Sequence, residues 1–300
     1  MQSFRYQDYP GNELFIPSNF LPFELAPNLP GFSNSLGMRD KERSIKKAPG
    51  VFRIITLGDS ITMYGHYTDH LEDILAKRYG LKVEVWNCSI GGHGIADYYH
   101  NLEHRVLGYH PDMILIGFCL NDFSLTPVMF RGTDGKPHCY RPLRMIKGNL
   151  DNWFYCHSNL YRLFLSGWEG SMDKHHGLSK ESTGKHYLHA IQEICRQRRL
   201  PLLTMIFPYF HDHSEETTDY QEMKKVVVES GVADIDLHET FLRSERPRYL
   251  DPFNPNDYIH PIDTAHRMVA EILAEYLLSH GLLPKGSDAG IASRARPSSR

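Results

Sequence analysis

The feature that most constrains the fold is a regular alternation between short apolar runs and longer amphipathic stretches. The apolar runs predict strands at 52–57, 83–88, 113–118, 202–207 and, more weakly, 233–237. The amphipathic stretches predict helices at 67–79, 95–107, 181–198, 215–230 and 264–279. Because the runs near residues 115 and 205 are apolar at consecutive positions, they are typical of central parallel strands covered on both faces. The alternation therefore predicts an α/β fold with a parallel sheet, whose chemistry lies at the carboxyl ends of the strands.

Three segments depart from this alternation. Residues 1–50 are irregular and rich in proline, but they carry Phe15, Phe20, Phe23 and Phe32, so we expect an ordered extension packed on the domain. The domain itself is predicted to span 51–283, with an insertion at about 123–180 that is far longer than an ordinary connection. Residues 284–300 are rich in Ser, Gly, Arg and Pro, which indicates a flexible tail.

Charge and hydropathy narrow the range of partners. A formal net charge of -3 and scattered basic residues give no electrostatic case for nucleic acid or an anionic membrane surface. No apolar run approaches the ~20 residues that span a bilayer, so no membrane span is expected. The first residues lack a basic region followed by an apolar stretch, which predicts no secretory signal and a cytoplasmic location.

The sequence predicts neither a metal nor a cofactor. Its 5 cysteines include no Cys-x-x-Cys pair, which argues against a zinc site and a disulfide framework. His66 and His70 are spaced i, i+4, but Tyr67 follows His66 where a zincin has glutamate, which favours a solvated helix face. The pair His211/His213 lacks a third ligand. The glycines at 91, 92 and 94 match neither the dinucleotide-binding spacing nor a phosphate loop with its lysine.

The first predicted strand runs into Gly58-Asp59-Ser60, and a helical pattern follows within a few residues. A serine at such a turn has its hydroxyl beyond the sheet edge and its backbone N–H near the positive end of a helix, where an oxyanion is stabilised. The same tripeptide is also typical of a simple helix cap. Ser60 by itself is therefore only a candidate nucleophile.

A candidate base stands near the other end of the chain, in Asp257-Tyr-Ile-His260. An aspartate three residues before a histidine can hold one ring nitrogen and leave the other free to take a proton from a serine. Since the chain has 18 histidines, this pair alone is expected by chance. The pair gains meaning only together with the other motifs.

Two further motifs lie between these ends in chain order. Residues 87–94 read Asn-Cys-Ser-Ile-Gly-Gly-His-Gly after the second strand, and 111–122 run through the third strand to Asn121-Asp122. This ordered set closely resembles the SGNH/GDSL hydrolase family, whose four sequence blocks supply serine, glycine, asparagine and histidine. The resemblance covers roughly 50–280 and touches a lead-in at 34–39. It implies a three-layer α/β/α sandwich with a flavodoxin-like parallel sheet.

The resemblance also implies roles for individual residues. Ser60 is the expected nucleophile and His260 the expected base, oriented by Asp257. The backbone N–H groups of Ser60 and Gly92 and the side-chain amide of Asn121 are the expected oxyanion donors. A one-residue slip among the glycines is the alternative to Gly92, and Cys119 stands where the family usually has glycine.

The implied function is a serine esterase that hydrolyses a carboxylic ester through an acyl-enzyme on Ser60. The expected substrate is a small-molecule or carbohydrate ester, such as an acetyl or other short acyl group on a sugar or small alcohol. Two alternatives stay open on the sequence. An acyltransferase would use the same triad with a sugar hydroxyl as acceptor, and a non-catalytic flavodoxin-like binding protein would keep only the fold.

The insertion is dense in aromatic residues, and we predict that Trp153 and Phe154 line the substrate pocket. Replacing either one with alanine should change the ratio of kcat/KM values among acetyl, butyryl and octanoyl esters. An aromatic residue that only packs the insertion should lower stability and leave that ratio unchanged. If neither substitution changes the ratio, the pocket is formed by other residues.

Overall fold

The structure is a computed structural model of the 300-residue chain. It describes residues 14–16, 18–124, 126–131, 137–142, 158, 160, 161, 164, 179–210, 217–242, 249–251, 254 and 257–284. The predicted pocket residues Trp153 and Phe154 lie outside the described residues, as does the predicted tail from residue 285 onward.

A five-stranded parallel sheet forms the centre of the fold. In the residues that the structure describes, the strands are β1 (Phe15–Ile16), β2 (Glu24–Leu25), β3 (Phe52–Gly58), β4 (Val83–Asn87), β5 (Met113–Phe118), β6 (Pro127–Arg131), β7 (Pro137–Pro142), β8 (Leu202–Ile206) and β9 (Ala233–Asp236). The central sheet has the order β4-β3-β5-β8-β9, and β1-β2 and β6-β7 are separate antiparallel pairs. This order of the five sheet strands is the flavodoxin-like one, as the resemblance implied.

Helices cover both faces of the sheet. They are α1 (Ser60–Tyr64), α2 (Tyr67–Tyr79), α3 (Ile95–His104), α4 (Lys180–Arg198), α5 (Thr218–Ser230), α6 (Leu237–Leu242) and α7 (Asp263–Ser279). Side chains of α2 and α7 belong to one buried cluster, and those of α3, α4 and α5 belong to another. The predicted three-layer α/β/α sandwich is confirmed.

The central strand β5 shows why its sequence is apolar at every position. Met113 and Leu115 join the cluster under α2 and α7, while Ile114 and Ile116 join the cluster under α3, α4 and α5. Successive side chains of a strand point to opposite faces, so a strand covered on both faces has no polar side. All residues of β5 are buried.

The predicted strands and helices are all present, with small differences at their ends. The helix predicted over 95–107 ends earlier, at His104, and a short 3₁₀ helix follows at Val106–Tyr109. Gly108 and Pro111 disfavour a continued α-helix, and His110 closes the turn with a φ of 55°. In the ranges that the structure describes, no helix combines the length and the apolar character needed to cross a bilayer.

The segment before the sheet packs onto the loop that follows β4. Phe15, Leu21, Phe23 and Leu25 form a small buried cluster with Ile90, and the rings of Phe15 and Phe23 lie 4.8 Å apart. The Nε2 of His93 lies 3.2 Å from the carbonyl oxygen of Phe23. This segment therefore reaches the edge of the sheet at which β4 ends.

Candidate active site

Ser60 is the first residue of α1, two positions after the end of β3. Asp59 caps this helix, because its Oδ1 accepts a hydrogen bond of 2.9 Å from the N–H of Ile61. Its Oδ2 lies 3.3 Å from the Ser60 hydroxyl. Asp and Ser are favoured at helix N-termini because the first N–H groups have no partner within the helix. The helix begins where its backbone donors face the carboxyl edge of the sheet.

The glycine before Asp59 is required by close packing. A Cβ at Gly58 would overlap the Thr62 hydroxyl and lie 2.9 Å from the carbonyl oxygen of Gly117 in the neighbouring strand. The strand end and the first turn of α1 therefore pack with no room for a side chain. This contact holds Ser60 close above the pairing of β3 with β5.

The segment 257–260 is held at the same edge by backbone hydrogen bonds. The N–H of Phe210, which follows β8, donates to the carbonyl oxygen of Tyr258 at 2.7 Å. The N–H of Ile262 donates to the carbonyl oxygen of Tyr249 at 2.8 Å, and α7 begins at Asp263. The segment is thus anchored to the exit of β8 on one side and to α7 on the other.

A chain of hydrogen bonds joins Ser60, His260 and Asp257. The Nε2 of His260 lies 2.8 Å from the Ser60 hydroxyl. Its Nδ1 lies 2.9 Å from Asp257 Oδ2 and 3.0 Å from Oδ1. With Nδ1 protonated and donating to the carboxylate, Nε2 is free to accept the hydroxyl proton. This arrangement can convert a serine hydroxyl into a nucleophile.

The pKa of Asp257 shows that its carboxylate suits this arrangement. Partial burial raises the pKa, but hydrogen bonds from His260 and Ile259 outweigh burial and leave it below its usual value. A carboxylate that is already stabilised stays charged and can hold the imidazole in one tautomer. Asp59 differs, because its burial raises its pKa.

Gly91 and Gly92 differ in whether the backbone N–H already has a partner. A Cβ on Gly91 would lie 3.4 Å from Ser60 Cβ, so this glycine borders the serine directly, but its N–H lies 3.2 Å from Met63 Sδ. The N–H of Gly92 makes no hydrogen bond to any residue that the structure describes. Gly92 also has a φ of 82°, a conformation that favours glycine. Of the two, Gly92 has the free backbone donor.

Asn121 lies three residues beyond the end of β5, and its side chain is exposed. Within the described ranges, its amide forms no hydrogen bond. The next residue, Asp122, is fully buried and accepts from Tyr98 Oη at 2.6 Å and from the N–H of Cys119 at 2.9 Å. Burial and the nearby Asp59 raise the pKa of Asp122 well above its usual value. The buried aspartate thus anchors the turn that presents Asn121.

Cys119, at the position where glycine was expected, is fully buried. It belongs to the apolar cluster under α2 and α7, and its φ lies outside the left-handed region that favours glycine. The side chain is therefore accommodated in the core without backbone strain. Burial raises the pKa of its thiol well above the usual value, so the thiol is not activated for chemistry.

The turns after β4 and β5 meet at Gly94. A Cβ there would lie 2.5 Å from the carbonyl oxygen of Asp122 and 2.7 Å from that of Ser124. The carbonyl oxygen of Asp122 also accepts from the N–H of Ile95 at 2.8 Å. Thr126 adds a second link, since its hydroxyl lies 2.5 Å from Asp97 Oδ2. The loop that carries Gly92 and the loop that carries Asn121 are therefore positioned against each other.

The sequence analysis did not predict a hydrogen-bond network that joins α1 to the end of β4 and to the segment before the sheet. The side-chain amide of Asn87 donates to the carbonyl oxygen of Thr62 at 2.8 Å, and its backbone N–H donates to Asp40 Oδ2 at 3.0 Å. Arg43 binds Asp40 at 2.9 Å and the carbonyl oxygen of Val85 at 2.6 Å. The lead-in motif near 34–39 was the one sequence feature that pointed to this region. Its contacts could not be predicted, because they depend on the three-dimensional path of the chain.

Sequence reasoning also missed a group of side chains that could bind a metal. His100, Glu103 and His104 have candidate ligand atoms within 4.8 Å of one another on the outer face of α3. Their spacing of i, i+3 and i+4 on a predicted helix was the signal. In the described ranges, these three side chains make no hydrogen bond, ion pair or ring contact with Ser60, His260 or Asp257, so they are separate from the hydrogen-bonded chain.

Comparison with known proteins places this geometry in a family. The sequence model of the GDSL-like lipase/acylhydrolase family matches residues 56–268. A comparison with curated proteins found no match. Among solved structures, the lipase/acylhydrolase from Enterococcus faecalis is similar in fold, with 18% identity and a TM-score of 0.50 over 79% of this chain and 100% of that chain.

Two other solved structures are similar at lower scores. An acetyl xylan esterase has 20% identity and a TM-score of 0.45 over 75% of this chain and 100% of its own. A GDSL-like lipase from Bacteroides thetaiotaomicron has 10% identity and a TM-score of 0.43 over 76% of this chain and 88% of its own. The family match covers more than half of the chain, so the protein belongs to the GDSL-like lipase/acylhydrolase family. It is a carboxylic ester hydrolase, and the resemblance seen in the sequence is confirmed.

The contact at Gly94 predicts a strong effect of one added methyl group. Gly94→Ala should lower kcat for ester hydrolysis by about 10²-fold, because the carbonyl groups of Asp122 and Ser124 must move and a shift of about 1 Å in a site costs that much. Steady-state kinetics with circular dichroism would measure it. Gly108→Ala is the matched control, since its Cβ would meet nothing within 4 Å. Equal activity in the two variants would contradict the coupling of the loops.

Proposed function

We propose that this protein hydrolyses a carboxylic ester through an acyl-enzyme on Ser60. The observation that carries the proposal is the chain of hydrogen bonds from the Ser60 hydroxyl through His260 to Asp257. It supports Ser60 as nucleophile, His260 as general base and Asp257 as the group that orients the imidazole.

The proposed reaction has two halves. Ser60 Oγ attacks the ester carbonyl carbon while His260 Nε2 takes its proton. The tetrahedral intermediate collapses, the bond to the alcohol oxygen breaks, and His260 returns the proton to the departing alcohol. Water then attacks the acyl-enzyme with the same base, which releases the acid and restores the serine. The asymmetric surroundings of the two imidazole nitrogens support both transfers.

Three donors are proposed for the oxyanion. They are the backbone N–H of Ser60, the backbone N–H of Gly92 and the side-chain amide of Asn121. The free N–H of Gly92 and the free amide of Asn121 support their assignment, because a donor already bonded within the protein is not available to the intermediate. The position of Ser60 at the N-terminus of α1 supports the third.

The proposed substrate is an acetyl or other short acyl ester of a sugar or small alcohol. The support is a cavity of about 320 Å³ that is lined in part by Tyr64, whose ring lies against His260. Its lining is rich in polar groups, among them Asn34, Arg39 and Asp40. A polar alcohol is better matched to such a cavity than a long alkyl chain.

Replacing the proposed nucleophile is the direct test of this function. Ser60→Ala should abolish hydrolysis of p-nitrophenyl acetate while the thermal unfolding curve stays close to that of the wild type, because no acyl-enzyme can form. Ser124→Ala is the control, since it removes an exposed hydroxyl at the same edge of the sheet. Turnover retained in the Ser60 variant would contradict the proposed mechanism.

The oxyanion assignment predicts a split between two kinetic constants. Asn121→Ala should lower kcat by roughly 10²–10³-fold, the usual loss for one oxyanion donor, and leave KM nearly unchanged. Asn19→Ala, which removes another exposed amide, should have no effect. A loss in kcat smaller than about fivefold, on a scale where tenfold is about 1.4 kcal/mol, would assign the oxyanion to the backbone donors alone.

A further inference from the structure

Arg39 is an arginine without an ion pair in the described part of the chain. Its guanidinium makes neither an ion pair nor a hydrogen bond with any described residue. The neighbouring Arg43 differs, because it binds both Asp40 and Glu72 at 2.9 Å. An arginine that is half-buried and unpaired is unusual, since a desolvated charge needs a partner.

Two aromatic rings fix this guanidinium in place. Its central carbon lies 4.5 Å from the centre of the Phe32 ring and 4.7 Å from that of Tyr64. Stacking on aromatic faces holds a guanidinium by cation–π attraction and leaves the N–H groups on its edge available. The rings thus preorganise Arg39 without using its hydrogen-bond donors.

Arg39 lines a cavity of about 320 Å³. Three carboxylates also line the cavity, those of Asp40, Glu42 and Asp69. Asp40 is bound by Arg43 and by the N–H of Asn87, and Glu42 accepts from the N–H and the hydroxyl of Ser35. Asp69 lies 3.8 Å from His66 Nδ1. None of these three carboxylates forms an ion pair with Arg39 in the described part of the chain, so the guanidinium has no bonded anion there.

One ring separates this cavity from the hydrogen-bonded chain of the active site. The Tyr64 ring contacts the guanidinium of Arg39 and also the His260 ring, with ring centres 5.7 Å apart and planes at 84°. His260 in turn bonds the Ser60 hydroxyl. The cavity is lined by Met63, Tyr64 and Gly65, which follow Ser60 closely in the chain, so it lies next to the helix that carries the serine.

We propose that this cavity is a subsite for a carboxylate carried by the ester substrate, and that Arg39 binds that carboxylate. The inference rests on the proposed function, because it assumes that the ester reacts at Ser60. A carboxylate matches the edge of a guanidinium with two parallel hydrogen bonds. The substrate class is thus an ester whose acid or alcohol part bears a second, free carboxylate.

The test compares each anionic ester with its neutral partner. On the acyl side, monomethyl succinate, glutarate and adipate are paired with their dimethyl esters. On the alcohol side, O-acetyl hydroxy acids of two to four carbons are paired with their methyl esters. The wild type should show a higher kcat/KM for the anionic member of at least one pair. If no pair shows this preference while the neutral esters are hydrolysed, the proposal is overturned.

Arg39→Gln should lower kcat/KM for the preferred anionic ester by about 10- to 100-fold, the range for lost hydrogen bonds to a charged group. The neutral partner should stay within about twofold. Lys41→Gln is the matched control, because Lys41 lines the same cavity but pairs with Glu72. If Arg39→Gln and Lys41→Gln lower kcat/KM for the anionic ester equally, the preference comes from net charge. If Arg39→Gln lowers kcat/KM equally for the anionic and the neutral ester, the loss comes from impaired folding. Either result would overturn the subsite.

Binding supplies a readout that does not depend on turnover. Ser60→Ala should bind the preferred anionic ester in calorimetry, and the double variant Ser60→Ala, Arg39→Gln should bind it about 10- to 100-fold more weakly. Equal affinity would overturn the subsite. Failure of the proposed function is recognised separately, because the wild type would then hydrolyse neither p-nitrophenyl acetate nor any neutral ester of the panel.

Discussion

Parallel pairing of β3 with both β4 and β5 is the constraint on which the rest of the structure depends. Parallel neighbouring strands end at the same edge of a sheet, so the loops that follow them lie side by side. Here these loops contain Asp59-Ser60 after β3, the glycines that follow Asn87 after β4, and Asn121 after β5. Glycine at 58 and 94 lets these three exits pack against one another with no side chain between them. The carboxylate of Asp122 then fixes the third exit from within the core. The Ser60 hydroxyl thus lies at one edge of the sheet with a backbone N–H and a side-chain amide that have no partner among the described residues.

The segment ahead of the sheet has two roles in this picture. Arg43 and Asp40 bind the last residues of β4, and Asn87 passes that support to α1, which carries Ser60. The same segment places Arg39 against Tyr64, beside the imidazole of His260. Under the proposed function, residues that are close in sequence would therefore both stabilise α1 and bind the substrate. The family model matches residues 56–268, so this segment precedes the matched part of the chain.

The layers of the fold can be predicted from the sequence because the pattern of apolar residues along each strand and helix follows directly from which faces are buried. Runs such as 113–118 are apolar at every position only when both faces are covered, and the structure shows both faces covered. The meeting of Ser60 with His260, 200 positions later, was expected from the resemblance and not from spacing. The sequence could not distinguish the N–H of Gly91, which contacts Met63, from the free N–H of Gly92. It also could not place Arg39 beside Tyr64, because such contacts depend on the three-dimensional path of the chain.

The central claim, that the ester is attacked by Ser60, is tested most directly by covalent labelling. A fluorophosphonate reacts with a serine only when a base activates its hydroxyl, so the label reports the whole hydrogen-bonded chain. Intact-mass analysis should show one phosphonate per chain, peptide mapping should place it on Ser60, and His260→Ala should remain unlabelled under the same conditions. A label on another residue, or an active enzyme that takes up no label, would contradict the account.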